Sequence, residues 1–127
     1  MNKYLDCSNA TVYAASNEEF MDLAKVFGES LLRESEFFAK ISTHAQPDHA
    51  FLSDISIQEF KQHLHQLLGF LPIFCAKDPL NEVIIFTELV KNSSSTDFPF
   101  PLSRLKEILE GLQGELKMWA EIQSLRL

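Results

Sequence analysis

The chain has 127 residues, 46% hydrophobic and 23% charged, with a formal net charge of −7 at neutral pH. This size and balance predict one domain, spanning 1–127, that buries its own hydrophobic core. The acidic charge argues against nucleic acid as a partner, because phosphate binding needs a basic face. We expect no membrane span and no signal peptide, because no apolar run is long enough. Cys7 and Cys75 form no C-x-x-C pair and no zinc pattern, so we expect reduced thiols in a cytoplasmic protein. We expect no metal site and no cofactor.

The first predicted helix follows an N-terminal segment, residues 1–15, that has no clear period and predicts a short helix or an arm. Ser16 and Glu19 form a capping-box signature, which is typical of a helix start. Apolar residues then recur at helical spacing: Phe20, Leu23, Ala24, Phe27, Leu31, Phe38 and Ile41. Gly28 leaves open whether this is one helix or two. Residues 42–54 contain a proline and many polar side chains and predict a loop.

Two further helices follow the loop. A second capping box, Ser56–Glu59, opens a helix with apolar residues at helical spacing, and Pro72 is predicted to end or kink it. The stretch Asp78–Pro79 predicts the start of the third helix, with the aspartate as cap and the proline at the first position. The apolar stripe of this helix, from 80 to 90, is wide and predicts a well-buried helix.

The last helix follows a linker, residues 92–101, that is rich in serine and proline. Its apolar seam steps by three and four residues: Leu102, Leu105, Leu109, Leu112, Leu116 and Trp119. About two and a half heptads are short for a lone coiled coil, so packing within a bundle is the better interpretation. The sequence therefore predicts an all-α fold, an antiparallel (up-down) four-helix bundle over 16–125 with an extra N-terminal segment, and we expect a monomer.

The second predicted helix places a titratable side chain, His65, four residues before a glycine, Gly69. His65 follows Leu64 by ~100° of helical turn, so it flanks the apolar stripe within reach of water. One turn away on the same face are three residues: Lys61, Leu68 and Gly69. A glycine inside a helix costs about 1 kcal/mol relative to alanine, and a site that accepts this cost often needs room for a close approach. His63 lies on another face and is predicted to be a solvated side chain.

The run His65–Gly69, His-Gln-Leu-Leu-Gly, resembles the H-x-L-K-G signature of histidine-containing phosphotransfer (HPt) domains. The pair Cys75–Ala76 stands where the family has a small-residue turn. Other parts of the pattern are also similar: Leu31-Leu32, Phe37-Phe38, Val83, Phe86 and Glu88. The similarity covers residues 18–125 as a pattern. It implies a four-helix bundle that serves as a phosphotransfer intermediate rather than as a free-standing enzyme.

The resemblance implies that His65 accepts a phosphoryl group from an aspartate of one receiver domain and passes it to another, within a two-component phosphorelay. A neutral imidazole is a competent nucleophile near neutral pH. The implied partners are receiver domains of response regulators or of a hybrid histidine kinase. They would dock on a face formed by Gln58, Gln62, Leu68 and Gly69. Leu68 stands where the family has a lysine, and Lys61 is the candidate substitute for its charge.

Two other interpretations stay open. A degenerate HPt-like adaptor, chaperone or inhibitor would keep the bundle and dock a protein partner without phosphotransfer, and a small helical domain would only oligomerise. Leu68 favours the adaptor, whereas His65 together with Gly69 favours phosphotransfer. Without the resemblance, His65 reads as an ordinary surface histidine.

Overall fold

Four α-helices make up most of the described chain. The structure, a computed structural model, describes residues 3–8, 10–12, 14–40, 50–51, 57–92, 97–98 and 102–126. The helices are α1 (Asn17–Ala39), α2 (Ile57–Phe74), α3 (Lys77–Lys91) and α4 (Leu102–Arg126), and a 3-10 helix covers Ala10–Val12. The prediction of an all-α fold with four helices is confirmed.

A two-residue ladder lies within the segments that were predicted as loop and linker. The strands β1 (Ala50–Phe51) and β2 (Asp97–Phe98) pair antiparallel, with Ala50 opposite Phe98. Runs this short leave no periodicity for a sequence to show, because alternation needs about four residues to be recognised. The predicted cap Ser56 and the stripe residue Ile41 lie outside the described residues.

The start of α1 is capped as predicted. Ser16 Oγ accepts a hydrogen bond from the Glu19 N–H at 3.2 Å, while Glu19 Oε2 accepts one from the Ala15 N–H at 2.7 Å. The helix is continuous through Gly28, which settles the choice between one helix and two. A Cβ added at Gly28 would lie 3.3 Å from Leu116 Cδ2, so the glycine lets α1 and α4 approach closely.

Pro72 does not end α2, which continues to Phe74. Proline has no N–H for the Leu68 carbonyl, and this loss would normally favour a break. On either side of the proline, however, Leu71 and Phe74 are fully buried, so tertiary packing keeps the last turn helical. The sequence predicts that Pro72 ends or kinks the helix, and the first of these alternatives is wrong for that reason.

The N-cap of α3 is Ala76 rather than Asp78, and no side chain caps the helix. The Leu80 N–H donates to the Ala76 carbonyl at 3.0 Å and closes the first turn. Pro79 therefore falls in the first turn, where backbone N–H groups have no acceptor within the helix and a proline loses nothing. The sequence placed the cap two residues late.

The buried stripe of α3 is also narrower than predicted. Pro79, Val83, Phe86 and Val90 are buried, whereas three apolar side chains face solvent: Ile84, Ile85 and Leu89, at 39%, 55% and 42% exposure. The helix packs on α2, while these three side chains stay exposed. A wide apolar stripe does not by itself show that a helix is covered on both sides.

The core lies where the stripes of the four helices meet. Helix α1 packs on α2 and α4, and α2 packs on α3. The predicted α4 seam is buried at Leu105, Leu109, Leu112 and Leu116, with Trp119 half-buried and Ile108 as an unpredicted member. Aromatic rings join α1 to α2, with the Phe27 and Phe74 centroids 4.7 Å apart. This burial is the main source of stability.

Residues 3–8, the N-terminal strap, cross the connection between α2 and α3. The Asp6 N–H donates to the Phe74 carbonyl and the Ala76 N–H donates to the Tyr4 carbonyl, both at 2.7 Å. Leu5 is 4% exposed, and the Tyr4 N–H reaches the Glu115 carboxylate at 3.1 Å. The strap thereby joins the α2–α3 connection to α4.

An ion pair joins α3 to α4. Arg104 donates from Nε and Nη2 to the two carboxylate oxygens of Glu82, at 3.0 and 2.8 Å. This bidentate hydrogen bonding holds the pKa of Glu82 below its ordinary value. The side chains of Arg104 and Glu82 are 33% and 39% exposed, so we expect this ion pair to contribute little to stability.

Two glycines of α4 offer a matched test of the strap. A Cβ at Gly111 would overlap the Tyr4 ring, whereas a Cβ at Gly114 meets nothing within 4 Å. We expect Gly114→Ala to raise the free energy of unfolding by about 0.5–1 kcal/mol through helix propensity. Gly111→Ala should lower it by about 1–3 kcal/mol through overpacking. Urea denaturation measures both, and equal stabilisation by the two substitutions would show that Tyr4 does not occupy this place.

Candidate functional site

His65 lies on the exposed side of α2 and lines a cavity of about 280 Å³ between α2 and α3. The cavity wall is formed by Lys61, Leu64, His65 and Leu68 of α2 and by Thr87, Glu88 and Lys91 of α3. No residue in the described part of the chain hydrogen-bonds to the His65 imidazole.

Lys61 is held at the end of this cavity by the last turn of α3. Its Nζ donates to the Lys91 carbonyl at 3.3 Å. The last carbonyls of a helix have no partner within the helix and carry its negative dipole end, so an ammonium group is favoured there. The contact fixes one positive charge one helical turn from His65.

Lys91 brings a second positive charge to the same cavity, and it is not among the site residues predicted from the sequence. It is an exposed residue of the last turn of α3. It lies far from His65 along the chain, and only the packing of α3 on α2 makes the two residues neighbours. A basic residue in the last turn of a predicted helix is an ordinary feature, so the sequence carried no signal of this role.

Leu68 and Gly69 differ in burial and in the space around them. Leu68 is half-buried and forms part of the cavity wall. Gly69 is exposed, and a Cβ added there would meet nothing within 4 Å, so internal packing does not require a glycine. The helix runs on to Phe74, so Gly69 does not begin a helix stop. The space beside the backbone opens to solvent.

The predicted docking residues share one side of α2. Gln58, Gln62, His65 and Gly69 are all exposed and follow one another at steps of four, three and four residues. This spacing places them in one row along a helix. Leu68 and Lys61 border the row on the side of α3. The structure thus brings the predicted site residues together, while their role stays a prediction.

His63 is not the solvated side chain that the sequence predicts. A hydrogen bond of 2.7 Å joins its Nδ1 to Oε2 of Glu34, whose side chain is 4% exposed against 24% for His63. The imidazole also stacks on Phe37, with centroids 3.5 Å apart and planes 10° apart. The sequence contains an indication of this contact. The predicted apolar stripe of α1 has no member between Leu31 and Phe38, and the buried Glu34 lies in that interval.

The two cysteines are poor candidates for nucleophilic chemistry. Burial, with a smaller effect of the Glu115 carboxylate, raises the pKa of the Cys75 thiol to about 12. Burial also raises the pKa of Cys7. Both thiols are therefore protonated near neutral pH, and the thiolate is the reactive form. Among the residues that the structure covers, no group of three or more His, Cys, Asp or Glu side chains is placed to hold a metal ion.

Comparison of the chain with protein-family models, with curated proteins and with solved structures finds no match. Within the described ranges, no helix has the length and apolar character needed to cross a membrane. The functional assignment therefore depends on the arrangement around His65 and on the motif that contains it.

The contact between Glu34 and His63 can be tested by unfolding experiments. His63→Ala leaves a carboxylate buried without its partner, and we expect a loss of about 3 kcal/mol in the free energy of unfolding. Replacing both residues by leucine should bring stability back to within about 1 kcal/mol of the wild type. Glu36→Ala, at an exposed position of the same helix, is the control and should change stability by less than about 0.5 kcal/mol. A His63→Ala cost no larger than that of the control would contradict the buried contact.

Proposed function

We propose that the protein is a histidine phosphotransfer module of a two-component phosphorelay, with His65 as phosphoacceptor. The observation that supports it best is an exposed imidazole to which no described residue hydrogen-bonds, in one cavity with two lysines and Glu88. The same proposal takes the four helices as an antiparallel, up-down bundle, because α2 and α3 pack together across a two-residue connection. It also includes a cytoplasmic location and a monomeric state, with receiver domains as the partners.

The proposed chemistry exchanges one bond to phosphorus for another. A lone pair of an imidazole nitrogen of His65 attacks the phosphorus of an aspartyl phosphate, the P–O bond breaks, and the aspartate leaves as a carboxylate. The N–P bond of phosphohistidine forms, and the reverse exchange passes the group to a second aspartate. A neutral imidazole suits this step because its nitrogen is nucleophilic near neutral pH. The receiver domain would supply the metal ion.

Two lysines would stabilise the charge that the transferred group brings. Lys61 is fixed by the Lys91 carbonyl at 3.3 Å, and the Lys91 side chain lines the same cavity. Positive side chains next to a phosphoryl group lower the energy of the charge that develops during transfer. In this proposal, Lys91 on α3 supplies from a neighbouring helix the charge that Leu68 does not supply on α2.

The docking face would be the exposed row on α2. Gly69 leaves the backbone near His65 open, because its missing Cβ removes bulk where an aspartate must approach. The exposed side chains of Gln58 and Gln62 would supply polar contacts along the same row. Leu68 adds an apolar contact at the edge. A partner that buries this row would place its aspartate against the imidazole.

A second candidate is an adaptor that docks a protein without phosphotransfer. The observation in its favour is the apolar side of α3, where Ile84, Ile85 and Leu89 are exposed. Leu68, in the cavity wall on α2, would add an apolar contact for such a partner. The adaptor predicts binding of a receiver-like partner with the same affinity whether or not His65 is present.

The first experiment is transfer from phosphorylated receiver domains of the organism that encodes the chain. The wild type should acquire an acid-labile label, and His65→Gln should reduce it at least ~100-fold because the nucleophile is removed. His63→Gln is a poor control because its contact is structural, so the matched control is Gln66→Ala at an exposed neighbouring position. A label that persists in His65→Gln, or a wild type that no receiver labels, would refute the proposal.

Gly69→Gln separates docking from chemistry in the same experiment. Phosphoramidate is a small donor that needs no docking, so it should label wild type and Gly69→Gln equally at His65. Transfer from a receiver should fall only in Gly69→Gln, because the longer side chain occupies the open face. Equal transfer from the receiver would show that the docking face lies elsewhere.

The role of Lys91 has its own test. Lys91→Gln should slow transfer from a receiver by about 3–10-fold, the effect of one exposed charge. Leu68→Lys in the same variant should restore the rate by returning a cation one turn from His65. Lys77→Gln, which removes an exposed lysine at the other end of α3, is the control. Unchanged rates in Lys91→Gln would remove this lysine from the mechanism.

A further inference from the structure

A second cavity lies on the opposite pair of helices, between α1 and α4, and has a volume of about 450 Å³. Most of its lining is apolar: Met21, Ala24, Gly28, Leu31, Leu32, Leu116, Trp119 and Ala120. Cavities of roughly 300–1,000 Å³ are typical of small-molecule sites. Leu32 is 49% exposed at the rim, so the cavity opens to solvent as a groove.

Two lysines are the charged residues in the lining of this groove. Lys25 projects from α1 and Lys117 from α4, and Gln113 is the remaining polar member. Neither ammonium has an ion-pair partner among the residues described. In a chain with a net charge of −7, an apolar groove flanked by two unpaired lysines is complementary to an anionic, amphiphilic ligand.

The contacts between the helices place both lysines at one level of the groove. Gly28 of α1 lies opposite Leu116 of α4, and Phe20 meets Trp119, with ring centroids 5.5 Å apart. Lys25 and Lys117 therefore lie on the Trp119 side of the Gly28–Leu116 contact. From Lys25 to Leu32 the floor continues for roughly 10 Å at 1.5 Å per residue, the length of a medium-chain acyl tail.

We propose that this groove binds a medium-chain fatty acid, with its carboxylate between Lys25 and Lys117 and its chain over Gly28 towards Leu32. Gly28 and Leu116, which pack against each other, line the floor where the chain would cross it. A partner helix is a worse fit, because a helix is roughly 10–12 Å wide with its side chains and needs a longer and broader groove. This site does not depend on phosphotransfer at His65.

The test is titration of the whole chain with hexanoate, octanoate and decanoate, followed by calorimetry and by the fluorescence of Trp119, the single tryptophan. We expect one saturable site whose affinity rises about fivefold for each pair of methylene groups in a half-open groove. Decanoate should bind about fivefold more tightly than decanol, and decylammonium should bind more weakly than both, because the lysines favour a negative charge.

Variants distinguish the contribution of the two lysines to binding from that of the apolar groove. Lys25→Gln with Lys117→Gln should abolish the preference of the site for decanoate over decanol, while Lys77→Gln on α3 is the matched control. Ala120→Glu, at an exposed position of the lining, should prevent decanoate binding without loss of helix content by circular dichroism. Equal binding of acid and alcohol, no effect of the lysines, or no saturable binding of any of the acids would overturn the proposal. Lysine-dependent binding of an acidic amphipathic peptide in place of the acids would overturn it as well.

Discussion

The rotation of α2 about its own axis is the constraint on which the rest of the molecule depends. Five side chains of this helix are fully buried: Phe60, Leu64, Leu67, Leu71 and Phe74. Burying each is worth roughly 1.5–3 kcal/mol, so any rotation that exposes the stripe is strongly disfavoured. His63 and His65 lie ~100° to either side of Leu64 and have no freedom of their own. One therefore enters the contact with α1, and the other faces the cavity beside α3.

Directional polar contacts complement this burial at three helix interfaces. Hydrophobic burial has no preferred direction, so it allows several similar packings of the same stripes. The pair Glu34–His63 joins α1 to α2, the Lys61 ammonium meets the end of α3, and Arg104 joins α4 to Glu82 of α3. Each contact joins a charged group to a defined partner on a neighbouring helix, so a different packing would break it.

The apolar periodicity of the sequence predicts the helices and their buried stripes, but it does not predict features that depend on contacts between helices. The four helices and most buried positions follow from apolar spacing, because a helix must bury its stripe. The burial of Glu34 and His63 did not follow, since each is polar and its partner lies on another helix. The continuation of α2 beyond Pro72 and the exposed side of α3 were missed for the same reason: neighbouring elements decide both.

The positive charge around His65 also depends on contacts between helices. Within α2, Leu68 leaves the site with Lys61 as the one cation on its own helix, and Lys91 reaches it only through the register of α3 against α2. The two helices are joined by a two-residue connection, where the N-terminal strap bonds to the Phe74 carbonyl and the Ala76 N–H. The positive charge beside the proposed phosphoacceptor therefore depends on the packing between two helices as well as on the sequence of one.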